Sequence, residues 1–119
     1  MKTTTQYDDT KILAVELAKL LDEKKAEDTK IMNISNINSY FDYFLITTGN
    51  SQIHCKALAR DIEKKLNENS IKPFNKPDIN SNWIVVDCGF LIIHIFTEEM
   101  RDYYNLEKLW GDAEYIGYQ

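Results

Sequence analysis

The chain is predicted to fold as a single α/β (α+β) domain, in which helices pack on a mixed sheet of four to five strands. Three observations predict it. Two runs with helical periodicity, about residues 8–25 and 52–69, alternate with short runs rich in β-branched and aromatic residues. One of those runs, Phe41 to Thr48, stops at Gly49 and leads straight into helix-capping residues, the grammar of a strand-to-helix crossover. Two further apolar runs, Trp83 to Asp87 and Phe90 to Phe96, are separated only by Cys88-Gly89, the length of a tight hairpin.

The first helix is expected to start at Asp8, Asp9 or Thr10, any of which can cap it, and to run to about Lys25. Its Leu13, Leu17, Leu20 and Leu21 lie on one side, with lysines near its end where the dipole favours them. Thr29 to Ile34 is a weak strand signal, followed by the turn-forming Ser35-Asn36-Ile37-Asn38-Ser39. Phe41 to Thr48 is a strong strand. After Asn50 or Ser51, the second helix turns Cys55, Leu58, Ala59, Ile62 and Leu66 toward a core. Ser70 to Asn82, with Pro73 and Pro77, is a loop, expected to be the most mobile segment.

In the hairpin, pairing outward from Cys88-Gly89 sets Asp87 opposite Phe90, Val85 opposite Ile92 and Trp83 opposite His94. Ile84, Val86, Leu91, Ile93 and Ile95 then form a wholly apolar face that must lie under the helices. The other face carries Trp83, Asp87 and His94 and is expected to meet water or a partner. Thr97 caps a terminal helix with Glu98 and Glu99 in its first turn. Wound as one helix, it turns Met100, Tyr103, Leu106 and Trp110 inward and Tyr104, Glu107 and Lys108 to the flank. Tails of about residues 1–8 and 113–119 are expected to be flexible.

With 119 residues, 44% of them hydrophobic and 28% charged, the chain is long enough to bury one core and needs no second domain. The longest apolar run, Phe90 to Phe96, is interrupted by His94 and too short to span a bilayer. The start has neither the apolar run of a signal peptide nor the arginines of a transit peptide, so a cytoplasmic location is expected, with Cys55 and Cys88 as reduced thiols. A net charge of −5, with acids and bases interleaved along the chain, disfavours direct nucleic-acid binding and suits a basic protein partner.

Catalytic chemistry finds little support. His54 and Cys55 are helical neighbours that point about 100° apart and cannot share a metal. Cys88 lies beyond reach of a histidine in the hairpin register, and Asp87 is too far along its strand to orient His94 as a base. Gly49-Asn50-Ser51 has the outline of an anion-binding helix start, but the chain carries neither a GxxxxGK[ST] loop nor a GxGxxG fingerprint. The strands hold no Asp-x-Asp pair for two-metal nucleotidyl transfer.

Three blocks of sequence go further than periodicity. They are Phe41-Asp42-Tyr43-Phe44-Leu45-Ile46-Thr47-Thr48-Gly49-Asn50-Ser51, then Trp83 to Gly89 with Ile92 to Phe96, then Arg101-x-Tyr103-Tyr104-x-Leu106-Glu107-x-Leu109-Trp110. Together, over roughly residues 9 to 112, they closely resemble the ribosomal silencing factor family, also called the Iojap family. The resemblance implies a nucleotidyltransferase-like fold without the transferase's catalytic residues, no enzymatic activity and no cofactor. It implies binding to the large ribosomal subunit through its basic ribosomal protein number fourteen, on the surface that faces the small subunit. The protein would then block subunit joining and lower translation when nutrients are scarce. Some members dimerise, and roles in late large-subunit assembly are described.

Carried over by motif, Tyr104, Leu106, Glu107, Leu109 and Trp110, with Lys108 beside them, are the expected partner contacts, Glu107 meeting a Lys or Arg. Trp83, Asp87 and His94 are expected in support. The chain departs from the family pattern at Phe90, where Asp commonly follows the glycine. The competing expectation, from the implied fold and the Gly49-Asn50-Ser51 turn, is a nucleotide-binding or nucleotidyltransferase-type enzyme.

Overall fold

A computed structural model describes residues 4–118. In chain order it contains α1 (Thr4–Glu23), β1 (Glu27–Asn33), β2 (Tyr43–Gly49), α2 (Gln52–Glu68), β3 (Trp83–Asp87), β4 (Leu91–Thr97), α3 (Glu98–Tyr104), α4 (Leu106–Leu109) and β5 (Glu114–Ile116). The α/β class holds, and the sheet has five strands in the order β3-β4-β2-β1-β5. Only β2 and β4 are parallel; the other neighbours are antiparallel.

Two expected tails become structure. No Gly or Pro interrupts residues 4–10, so α1 propagates back through Asp8, Asp9 and Thr10 instead of being capped there. Residues 1–3 of that expected tail lie outside the described residues. At the other end, Ile116, Tyr115 and Glu114 pair with Ile31, Met32 and Asn33, so part of the 113–119 segment is an edge strand.

Both long helices end in the same device. Lys25 (φ 69°) and Ser70 (φ 58°) are left-handed, and the next residue donates back five positions, Ala26 N to Leu21 O and Ile71 N to Leu66 O. Ala26 and Ile71 then pack against the core. Ser51 starts α2, its hydroxyl accepting from His54 N, and the five core-facing residues expected of this helix are the five it buries.

The hairpin register differs from expectation. Trp83 pairs with Phe96, Val85 with His94 and Asp87 with Ile92, and Cys88 N donates to Leu91 O. The two turn residues are therefore Gly89-Phe90, not Cys88-Gly89. Gly89 has φ 86°, and the first position of a Gly-X hairpin turn demands such a value. Because every partner moves by two residues, each side chain keeps its expected face.

One face of the sheet carries the main core under α1 and α2: Leu17, Leu21, Leu45, Leu58, Ile62, Ile84, Val86 and Ile93 are fully buried. The opposite face is also covered. Met32, Ile34, Phe44, Ile46, Ile92 and Phe96 form a second buried cluster, closed by Met100, Leu106, Trp110 and Ala113 from the C-terminal segment. The expectation of helices on one face only, with the other face open, is thus corrected. Central strand β2 is apolar on both sides, and burial of all seven of its residues requires a cover on each.

A candidate partner-binding surface over the second sheet face

The C-terminal segment is not one helix. Asn105 takes a left-handed conformation (φ 47°, ψ 57°) that ends α3 and starts α4, its side chain accepting from Lys108 N. Asn tolerates this conformation better than most residues, and the short side chain caps the new helix. Beyond the break Leu106 and Trp110 both reach the sheet while Leu109 points to solvent, 72% exposed.

The break also reorients α3. Arg101, not Tyr103, is its buried residue, so the inward arc centres on Met100 and Arg101; Tyr103, expected inward, is 72% exposed. Arg101 is anchored by four contacts. Its Nε donates to Glu107 Oε1 at 2.8 Å, and its Nη1 donates to Asp28 O at 2.6 Å and Thr48 Oγ1 at 2.8 Å. Its Nη2 lies 3.4 Å from Asp28 Oδ2. Asp28 has φ 48° and sits where the β1 register slips, and a bulge leaves a carbonyl outside the ladder that Arg101 can take up. Glu107 thus pairs with Arg101 within the chain while its side chain stays 22% exposed. A six-residue spacing puts Arg101 and Glu107 about 120° apart around a continuous helix, so the sequence offered no signal for this pair.

On the sheet itself, aromatic rings form a connected layer. Trp83 stacks on Phe96 at 5.2 Å and meets Tyr104 at 4.5 Å. Phe44 is edge-on to Trp110 at 5.4 Å and to His94 at 4.8 Å, within the range of favourable ring pairs. Tyr104 is about half exposed and touches Tyr103 edge-on at 5.0 Å. The exposed side chains of this face are thus Tyr103, Tyr104 and Leu109, backed by half-buried Leu106 and Trp110 and flanked by exposed Lys108.

His94 lies buried beneath these side chains and Asp87 at the far end of its strand. His94 is 6% exposed, and its Nδ1 accepts from Trp83 Nε1 at 3.1 Å, which places the proton of the neutral ring on Nε2. Burial lowers its pKa to about 4. Asp87 lies at the turn end of β3, where its carboxylate accepts from Gly89 N at 2.8 Å. Phe90, the residue that departs from the family pattern, borders a cleft of about 440 Å³ with Ile12, Leu13 and Leu91, and its carbonyl accepts from Asp42 N and Tyr43 N.

The Gly49-Asn50-Ser51 turn is explained by packing. A Cβ at Gly49 would fall 2.7 Å from Cys55 Sγ, and Asn50 N already donates to His54 Nδ1. Burial raises the Cys55 thiol pKa, and burial together with Asp87 pushes Cys88 up to about 12, so neither is an activated nucleophile. Among the described residues no three His, Cys, Asp or Glu are placed to hold a metal, and no helix is long and apolar enough to cross a membrane.

A family model described as "Ribosomal silencing factor during starvation" matches residues 7–119. The chain is 42% identical over 93 residues to the ribosomal silencing factor of Bacillus subtilis, covering 77% of this chain and 79% of that one. A crystal structure of a Chromobacterium violaceum protein superposes with a TM-score of 0.75 at 28% identity, covering 92% of this chain and 88% of that one. A crystal structure of a Bacillus halodurans protein gives 0.74 at 32% identity, covering 92% and 98%.

Proposed function

Since the chain belongs to the ribosomal silencing factor family, we propose that it binds the large ribosomal subunit in the cytoplasm and keeps the small subunit from joining, lowering translation when nutrients are limiting. The contact would be made with the basic ribosomal protein number fourteen. The observation that carries this reading is the aromatic rim of the second sheet face. Tyr103, Tyr104 and Leu109 are exposed apolar side chains held on half-buried supports, the arrangement from which interface anchors are built. Acidic residues surround it: Glu98, Asp102, Asp112 and Glu114 are all exposed on the same C-terminal segment, a charge that steers a basic partner toward the apolar contacts.

The mechanism is occupancy. A standard interface buries about 800 Å² on each partner, and a body of 38 × 32 × 28 Å seated on the joining surface of one subunit obstructs the other. No substrate turnover is involved. Sedimentation of separated subunits tests the reading. The added protein should travel with the large subunit and reduce the fraction of whole ribosomes, and purified small subunits in excess should displace it. Comigration without loss of whole ribosomes would contradict it.

A further inference from the structure

The opposite side of the molecule carries charge of the other sign. On α2, Lys56, Arg60 and Lys64 recur every four residues, a straight stripe with steps of about 6 Å. It lies away from the buried arc of Cys55, Leu58, Ala59, Ile62 and Leu66. Residues 70–77 fold back beside this helix across a groove of about 750 Å³, with Glu63 and Asn67 on its helix wall and exposed Lys72 and Lys76 on its loop wall. Between those lysines Phe74 is 78% exposed. Asp61 turns toward the other flank of α2, Glu68 ends the stripe one step beyond Lys64, and Glu63 is the acid that reaches the groove. None of the five cations forms a salt bridge within the described residues, whereas Lys30 and Arg101 are both paired with Asp28.

We propose that this face binds the phosphate backbone of RNA, giving the protein a second contact beside its protein partner. On this side of α2 and its folded-back loop the five cations outnumber the two acids, Glu63 and Glu68, that lie among them. Unneutralised cations at regular spacing are the electrostatic footprint of phosphate binding. A flat exposed ring between two lysines is a platform on which a base can stack. An anionic membrane is the less suitable occupant, because the buried arc of α2 is committed to the core and leaves only Ile53 and Phe74 as isolated exposed apolar side chains on this side. The inference rests on the proposed function only in naming the RNA as ribosomal.

The test is fluorescence anisotropy of a labelled RNA hairpin with the full-length protein. Binding at about 50 mM salt should weaken steeply as salt rises, five phosphate contacts giving a slope of about −4.5 in log affinity against log salt. The triple reversal Lys56→Glu/Arg60→Glu/Lys64→Glu should weaken binding at least tenfold, and Lys72→Glu/Lys76→Glu, which alters no helix, should do the same. Reversal of Lys11 and Lys19 on α1 and of Lys24 just after it, with the same change in net charge as the triple reversal, should leave affinity within about threefold. Both stripe variants should still bind isolated basic ribosomal protein number fourteen, which separates this face from the aromatic one. Three results would overturn the proposal: no RNA binding by the unaltered protein at that salt, equal losses in stripe and control variants, or tighter binding to phosphatidylglycerol vesicles than to RNA.

Discussion

Glu107 Oε1 accepts a hydrogen bond from Arg101 Nε at 2.8 Å, clasping α3 to α4 across the left-handed residue between them. Arg101 is 7% exposed, so its charge is balanced by what the chain supplies. Truncation by Glu107→Ala removes a charge-assisted hydrogen bond from a buried cation and should lower stability by about 1.5–3 kcal/mol. Glu107→Gln keeps an acceptor and should lose less. Urea unfolding midpoints measure both, and an unchanged midpoint in Glu107→Ala would show that the clasp contributes nothing. Loss of ribosome binding on Glu107→Arg is expected to follow from structural damage to the clasp, because a second cation would face Arg101.

The break itself depends on Asn105. Replacement by Ala loses the cap to Lys108 N and places a Cβ-bearing residue with no compensating side-chain bond in the left-handed region, at a cost of about 1–2 kcal/mol. Asn105→Gly keeps the conformation and should stay within about 0.5 kcal/mol of the parent. Thermal unfolding of the pair distinguishes the two effects. If Gly is as damaging as Ala, the left-handed conformation is not what matters.

Binding and folding should separate within the motif. Leu109 is exposed, so Leu109→Asp is expected to change stability by no more than about 0.5 kcal/mol while weakening large-subunit binding at least tenfold. Trp110 packs edge-on against Phe44, and Trp110→Ala should cost about 2–4 kcal/mol of stability as well as binding. Cosedimentation at matched folded fraction decides it: an undiminished Leu109→Asp would remove α4 from the interface.

His94 predicts a pH dependence with a defined sign. Its pKa is lowered by burial from 6.5 to about 4, so between those values the unfolded chain binds the proton and the folded one does not. Stability should therefore fall as pH drops through that window, by about 3 kcal/mol at most, and the loss from this residue should be complete below pH 4. His94→Gln retains a side-chain acceptor for Trp83 Nε1 and cannot titrate. Its stability should depend on pH less steeply, by up to one proton, over the same range. Identical slopes in parent and variant would contradict the assignment.

Much of this was legible in the sequence because it depends on local periodicity. The inward residues of α2, the strong strand ending at Gly49 and the face of each hairpin residue follow from 3.6- and 2-residue repeats, which is why the faces survived a two-residue error in register. The register itself depended on which of two adjacent residue pairs formed the turn, and the positive φ of Gly89 decided that. His94 was misplaced for another reason: alternation distinguishes two faces of a strand, but not whether a later segment covers one of them.

By itself the sequence determined the α/β class, the core-facing residues of α2 and, through its motifs, the family. Only the tertiary structure decided which motif residues are bonded within the chain and which are exposed. Glu107 and His94 are held within the chain while Tyr103 and Leu109 are released to its surface. The physical reason is that a buried charge must find its partner wherever the fold supplies one. Arg101 found Asp28 from the first strand, Thr48 from the second and Glu107 from beyond a helix break, residues brought together by long-range packing and not by spacing.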